Sequence, residues 1–170
     1  NMKIYCEHTI PMSAESFWEH IHDPRYEAMV GKVANLDEYT TIERREEADA
    51  IYRKIRVVPQ IPAQFQAILS KVASSVDKNY TEEQWRSKSR KAVRWKISLG
   101  VLGDKAKFEG EVRIEPINAT SCKRILDGDI SVKIFGVGGL IEKAIVSQTV
   151  EAYGKSAAVA GDYVRQYSIS

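Results

Sequence analysis

The chain has 170 residues, of which 28% are charged and 44% hydrophobic, and its formal net charge is +2. This is the composition of an ordinary globular protein with a buried core, and the near balance of charge gives no reason to expect a nucleic acid as partner. No apolar stretch approaches the roughly 20 residues of a membrane span, and no basic segment followed by an apolar run suggests a signal peptide, so we expect a cytoplasmic location.

Residues 2–10 predict the first strand, because apolar and polar side chains alternate along them. Ile4, Cys6, His8 and Ile10 fall on one side of this strand. That side is expected to face the protein interior. A histidine there is more often a core residue with one hydrogen bond than a catalytic base.

Two short helices are predicted to follow, over 14–33. Ser13 is placed to cap the first helix, and Asp23 is placed to cap the second, with Pro24 at the first helical position. A short acceptor side chain satisfies the free N–H groups at a helix start, and proline loses nothing there because its missing N–H would have no partner.

The centre of the chain predicts antiparallel strands joined by turns. The alternating segments are 36–47, 49–58, 77–88, 91–99, 104–115 and 120–133. Between the second and third segments, apolar residues recur at helical spacing in 62–74, namely Phe65, Ile68, Leu69 and Val72. They predict a short helix that could act as a lid or form a fixed cluster.

A long amphipathic helix is predicted over 140–166, after the glycine-rich run 136–139. A step of about 100° per residue puts its charged side chains on one side. The middle of the opposite half holds small and polar residues instead of large aliphatic ones: Glu142, Thr149, Tyr153, Ser156 and Ala160. Such a helix covers a space rather than filling it, although close approach to a strand would select small residues as well.

This order of elements predicts an α+β fold. Consecutive hairpins give a strongly twisted antiparallel sheet of about six to seven strands, and one long helix must lie across its concave face. A sheet curled around a helix leaves a cavity when the facing residues are small. No repeat or linker interrupts the pattern, so we expect a single domain over 1–170.

The layout resembles the helix-grip fold of the START-like superfamily, also called SRPBCC, which includes START lipid-transfer domains, birch-pollen-allergen-like proteins and polyketide cyclases. Residues 8–18, HTIPMSAESFW, are similar to the strand-to-helix junction of that group, and 22–26, HDPRY, are similar to the start of its second helix. The run 136–142, GVGGLIE, is most similar to an uncharacterised bacterial START-like family. The resemblance implies the fold and a hydrophobic cavity. It implies no particular ligand, because this fold hosts carriers, cyclases, hydratases and receptors.

We therefore expect a hydrophobic small molecule, in the first place a lipid, to bind in the cavity under the long helix, with transport of this ligand as a further option. The candidate binding residues on the helix are Glu142, Ile145, Val146, Thr149, Tyr153, Ser156 and Ala160. Those on the strands are Arg53, Trp95, Phe108, Val112, Arg124 and Leu126. Trp85 is a further aromatic candidate for the wall.

Three of these candidates are charged. Glu142 could orient a hydroxyl or amine of the ligand, or it could touch only water or a backbone amide at the mouth of the cavity. Arg53 and Arg124 alternate with apolar neighbours and are expected to face inward, where an unpaired arginine is costly. Either could bind a carboxylate or phosphate through two hydrogen bonds, unless a bulge reverses the register or the side chain reaches the rim.

No enzyme signature, cofactor motif or metal-ligand spacing occurs, so we predict no catalytic residue, no cofactor and no metal. Cys6 and Cys122 are expected to be neighbouring thiols on the paired first and last strands. His20 and His22 are expected to lie outside the cavity.

Two other functions stay open. The cavity could belong to an enzyme of the cyclase or hydratase type that uses Glu142, Tyr153 or Arg124, or it could be collapsed in a regulatory or interaction module. The basic residues over 86–96 could contact an anionic membrane transiently, or they could form a solvated hairpin.

Overall fold

The computed structural model describes residues 1–71, 79–100 and 102–170. The described residues form one antiparallel sheet of seven strands in the order β1-β7-β6-β5-β4-β3-β2. The strands are β1 (Met2–Ile10), β2 (Leu36–Glu46), β3 (Ala50–Pro59), β4 (Tyr80–Ser87), β5 (Ala92–Ser98), β6 (Ala106–Asn118) and β7 (Ser121–Val132). The α-helices in the described ranges are α1 (Ala14–His20), α2 (Pro24–Val33), α3 (Ala63–Leu69) and α4 (Gly138–Tyr167). The predicted α+β helix-grip fold is confirmed.

Helices α1 and α2 begin at the predicted capping residues. Ser13 Oγ accepts a hydrogen bond from the Ser16 N–H at 3.1 Å, and Asp23 Oδ1 accepts one from the Arg25 N–H at 2.8 Å. Pro24 is the first residue of α2. Each cap satisfies an N–H group that the helix leaves without a partner. The local sequence therefore determines at which residue each of the two helices begins.

Two opposed glycines make room for a tryptophan on the concave face of the sheet. Gly110 on β6 lies opposite Gly128 on β7, and Trp95 on β5 lies opposite Gly110. A Cβ atom at either glycine would lie 2.7 Å from Cζ2 of Trp95. Any other residue at these positions would displace the indole, which therefore forms part of the inner surface of the sheet.

Helix α4 is anchored to the rest of the protein at both of its ends. Near its C-terminus, Val159, Ala160 and Tyr163 belong to a buried cluster that also contains Ile10, Met12, Ala14, Phe17 and Tyr26. Near its N-terminus, Ile141 belongs to a second cluster together with Ile4, Leu126 and Val132. The middle of α4 is thus held across the sheet by contacts on either side of it.

Two predicted boundaries need correction. The helix predicted over 62–74 is α3, which ends at Leu69; Val72 lies outside the described residues, as does the start of the strand predicted over 77–88. Strand β6 continues to Asn118, with irregular pairing after Pro116. Proline has no N–H to donate to the neighbouring strand, and the irregular pairing beside Pro116 makes that hydrogen bond unnecessary. The strand therefore continues past the proline.

The two cysteines are free thiols, but the prediction that they are neighbours is wrong. Strand β1 pairs with β7 so that Cys6 lies opposite Leu126 and Cys122 lies opposite Ile10. The two positions are thus four residues apart along β7 (126 − 122 = 4), which corresponds to about 13 Å. Among the described helices, none is long and apolar enough to cross a membrane.

Candidate functional site

A cavity of about 430 Å³ lies between the concave face of the sheet and the helices α2, α3 and α4. Sites for small molecules usually have volumes of about 300–1,000 Å³. Beyond the predicted residues, its apolar wall includes Ile4, Val30, Phe65, Leu69, Val93 and Ile97. The inward side of α4 is therefore not packed solid against the sheet.

Ten of the thirteen predicted residues line this cavity: Arg53, Trp95, Phe108, Val112, Arg124, Leu126, Ile145, Thr149, Tyr153 and Ser156. The other three, Glu142, Val146 and Ala160, are placed elsewhere. Ala160 is fully buried in the cluster with Phe17 at the far end of α4, and Val146 packs against the cluster at its near end. The row of small and polar residues along α4 indicates which side of the helix faces inward. It does not indicate which part of the helix covers a cavity and which part covers a packed core.

Glu142 connects the start of α4 to the end of β7. Its side chain is 6% exposed, and its Oε2 accepts a hydrogen bond from the Val132 N–H at 2.8 Å. This hydrogen bond lowers the pKa of the Glu142 carboxyl against the opposing effect of burial. The carboxylate is thus engaged by a backbone amide, which is the second of the two alternatives that the sequence left open for it.

Trp85 also lies away from the cavity. Its ring centroid is 5.4 Å from that of Tyr52, and the Arg94 guanidinium lies 4.3 Å from the Trp85 ring. Neighbouring strand residues point to opposite faces, so Gln84 and Trp85 cannot both face inward. The structure places Gln84 in the cavity wall and Trp85 on the other side of the sheet.

Arg53 is held in the wall by an ion pair and an amide. Its Nη1 and Nη2 donate to the two carboxylate oxygens of Glu27 at 3.1 and 2.6 Å, and its Nε donates to Gln84 Oε1 at 2.9 Å. The Arg53 side chain is 9% exposed. Glu27 supplies the counter-charge that a buried guanidinium requires. The positive charge that Arg53 brings to the cavity wall is therefore neutralised.

Glu82 forms the second part of this polar network and was not predicted. It lines the cavity, and its Oε2 accepts hydrogen bonds from the Tyr39 hydroxyl at 3.2 Å and from Gln84 Nε2. Burial raises the pKa of the Glu82 carboxyl, and this effect outweighs the hydrogen bond from Gln84 and the charge of Arg53. A cavity-facing carboxyl that keeps its proton more readily than usual is a candidate group for proton transfer.

The raised pKa of Glu82 predicts a dependence of stability on pH. The folded protein holds this proton where the unfolded chain has released it, so ionisation costs stability as the pH rises from the ordinary value of 4.5 through the folded-state value. Glutamine is neutral throughout, so Glu82→Gln should increase the free energy of unfolding relative to the wild-type protein at pH 7 and lose that advantage near pH 4. Urea unfolding at both values tests this, and equal differences at the two values would contradict it.

Arg124 has different surroundings from Arg53. Its Nη1 donates to Ser156 Oγ and its Nη2 donates to the Tyr153 carbonyl, both at 2.8 Å. The guanidinium also lies 4.2 Å from the centroid of the Tyr153 ring. All these partners are on α4, so Arg124 joins β7 to the middle of that helix across the cavity wall.

His22 lines the cavity, which corrects the prediction that it lies outside. It follows α1, and its Nδ1 is 3.5 Å from Nη1 of Arg86. Burial lowers the pKa of His22 well below its usual range, and the charges of Arg53 and Arg86 act in the same direction. The ring is therefore neutral and contributes a polar but uncharged group to the wall.

The predicted basic run is partly neutralised. Lys88, Arg90 and Lys91 each form an ion pair with a glutamate, over 2.7, 3.2 and 3.7 Å. Arg86 donates to the Trp18 carbonyl at 2.5 Å, and its guanidinium lies 3.7 Å from the centroid of that ring. The contact with an anionic membrane stays a prediction.

The comparisons with known proteins agree with the fold. The family model described as "Protein of unknown function (DUF2505)" matches residues 6–164. No curated protein matches the chain in sequence.

Solved structures of the same fold match almost the whole chain. The Zhui aromatase/cyclase from Streptomyces sp. R1128 is 13% identical with a TM-score of 0.67, over 96% of this chain and 95% of that chain. Norcoclaurine synthase from Thalictrum flavum is 14% identical with a TM-score of 0.61, over 96% and 87%. An 18 kDa protein from Caulobacter crescentus is 13% identical with a TM-score of 0.61, over 100% of both chains. These likenesses show the START-like helix-grip fold, as the sequence predicts.

Proposed function

The chain belongs to the DUF2505 family of START-like proteins, and from this premise we propose that it binds a hydrophobic small molecule, first of all a lipid, as a single domain over 1–170. The observation that carries the proposal is the cavity of about 430 Å³ between α4 and the concave face of the sheet. Trp95, Phe108 and Leu126 are among the apolar side chains of its wall. Each methylene group that a ligand buries against such a wall contributes about 0.8 kcal/mol, so an acyl chain gains affinity without many polar contacts.

A structure of the same fold supports the proposal in general terms. The norcoclaurine synthase structure was determined in complex with dopamine and hydroxybenzaldehyde, which are small organic molecules. In this chain the residues around the cavity combine large apolar surfaces with a few fixed polar groups, which is the usual character of a small-molecule site.

Native mass spectrometry tests the proposal. The protein is incubated with a mixture of fatty acids, fatty alcohols and phospholipids, freed of unbound lipid and measured under native and then denaturing conditions. We expect an adduct of one small molecule per chain that is lost on denaturation. Absence of any adduct, or adducts of variable number, would contradict a single cavity site.

An enzyme is the second candidate, because Glu82 faces the cavity with a raised pKa and lies beside the Tyr39 hydroxyl. A carboxyl of this kind can exchange a proton with a bound substrate. The test compares the compounds recovered from the wild-type protein and from Glu82→Gln. A precursor that accumulates only in Glu82→Gln would support conversion at this carboxyl, and identical compounds in both would contradict it.

A further inference from the structure

In the part of the chain that the structure describes, two guanidinium groups line the cavity, and only that of Arg53 has a counter-charge. Arg53 is paired through both of its terminal nitrogens with Glu27. Within the described ranges, the acceptors of Arg124 are neutral, namely the Ser156 hydroxyl and the Tyr153 carbonyl. Among the described residues, no carboxylate forms an ion pair with Arg124.

The groups that surround Arg124 do not supply a negative charge either. On β1, His8 lies opposite Arg124, and burial together with the charge of Arg124 lowers the pKa of this histidine, which leaves it neutral. Burial raises the pKa of the Cys122 thiol to about 11, and it also raises the pKa values of the Tyr26 and Tyr153 hydroxyls. At neutral pH all four groups are uncharged, so none of them compensates the positive charge of Arg124.

The side chain of Arg124 is 5% exposed and lines the cavity. A guanidinium has five N–H donors, of which the Ser156 and Tyr153 contacts use two, and the buried Nε has no partner in the described part of the chain. A buried cation without an anion is costly, and proteins normally pair it. An anion that entered from the cavity would supply the missing negative charge.

We propose that the cavity selects an apolar molecule with one carboxylate group, and that Arg124 binds this carboxylate. The inference rests on the proposed function and names its ligand class, an apolar carboxylic acid. Ser156 and Tyr153 hold the guanidinium in place, so its orientation is set before the ligand arrives. Arg53 does not compete for the carboxylate, because Glu27 already supplies its counter-charge.

The test compares two probes that differ only in the head group, dodecanoic acid and dodecan-1-ol, by calorimetric titration at pH 8. We expect the wild-type protein to bind the acid about tenfold or more tightly than the alcohol, because the acid adds a charge-assisted hydrogen bond. Arg124→Gln should lose this preference and keep its affinity for the alcohol. Arg113→Gln is the matched control, since Arg113 lies on the neighbouring strand opposite Ile125 and pairs with Glu115 and Asp127.

Equal affinities for the two probes in the wild-type protein would overturn this inference alone, and so would a preference that survives in Arg124→Gln. Absence of binding of both probes would contradict the proposed function and this inference with it. The wild-type comparison needs no variant, so it decides the question even if Arg124→Gln does not fold.

Discussion

Glu27→Gln is expected to destabilise the protein by about 3 kcal/mol, because it leaves the buried guanidinium of Arg53 without a counter-charge. Loss of one partner of a buried ion pair typically costs about 3–5 kcal/mol. Glu27 keeps 20% of its side chain exposed, so water can reach the site and the lower end of that range applies. Urea unfolding at neutral pH measures the difference.

The pair of Arg56 and Glu38 is the matched control for this prediction. It joins the same two residue types, and Arg56 lies on β3 as Arg53 does; the two charged groups are 3.4 Å apart, but the side chains are 49% and 39% exposed. Glu38→Gln should therefore change the free energy of unfolding by less than about 1 kcal/mol. A cost for Glu27→Gln no larger than that for Glu38→Gln would show that the Arg53 pair does not depend on burial.

Thr149→Trp is expected to abolish ligand uptake, with a loss of affinity of about a hundredfold or more. Thr149 lies near the middle of α4 and lines the cavity. An indole at this position would occupy space that the ligand needs, and loss of the contacts of only a few methylene groups already costs this much affinity. Titration with dodecan-1-ol measures the effect, and circular dichroism checks that the helix and sheet are retained.

Val150 provides the control for the blocking variant. It is the next residue of α4, but it is 39% exposed and does not line the cavity. Val150→Trp adds the same side chain to the same helix and should bind the alcohol as the wild-type protein does. Equal uptake by both variants would place the ligand outside the cavity.

Local signals predicted most of the fold. Ser13 and Asp23 capped the helices because a cap requires only a short acceptor and the next few N–H groups. The alternation along β6 and β7 identified the inner face, and thereby Phe108, Val112, Arg124 and Leu126, because those strands are dry on one side and wet on the other. The order of β2 to β7 then followed from consecutive strands that pair with each other, whereas the pairing of β1 with β7 was implied by the resemblance to the helix-grip fold.

The polar network of the cavity could not be predicted in the same way. Strand β4 carries Glu82 and Gln84 on one face and Glu83 on the other, so no contrast between apolar and polar residues distinguishes the two. The register between β3 and β4 does show which face of β4 is inward, because Gln84 lies opposite the inward-facing Arg53. Sequence alternation alone does not give that register.

The sequence could not decide between the two alternatives for Glu142, for a different reason. Its position on the inward side of α4 follows from the helical period, but its partner depends on how the end of β7 approaches the start of the helix. There the Val132 N–H donates a hydrogen bond to the Glu142 carboxylate. Helical periodicity does not describe such a contact between two segments that are joined by a turn. Arg53 and Arg124 looked alike in sequence, and only their partners on α2 and α4 distinguish them.

The most direct test of the central claim uses the three tryptophans as reporters of position. Trp95 lines the cavity, whereas Trp18 and Trp85 do not. In a nuclear magnetic resonance titration with dodecan-1-ol, the indole N–H signal of Trp95 should shift to a saturating value while those of Trp18 and Trp85 stay in place. A ligand that binds and leaves the Trp95 signal unchanged would contradict binding in the cavity under α4.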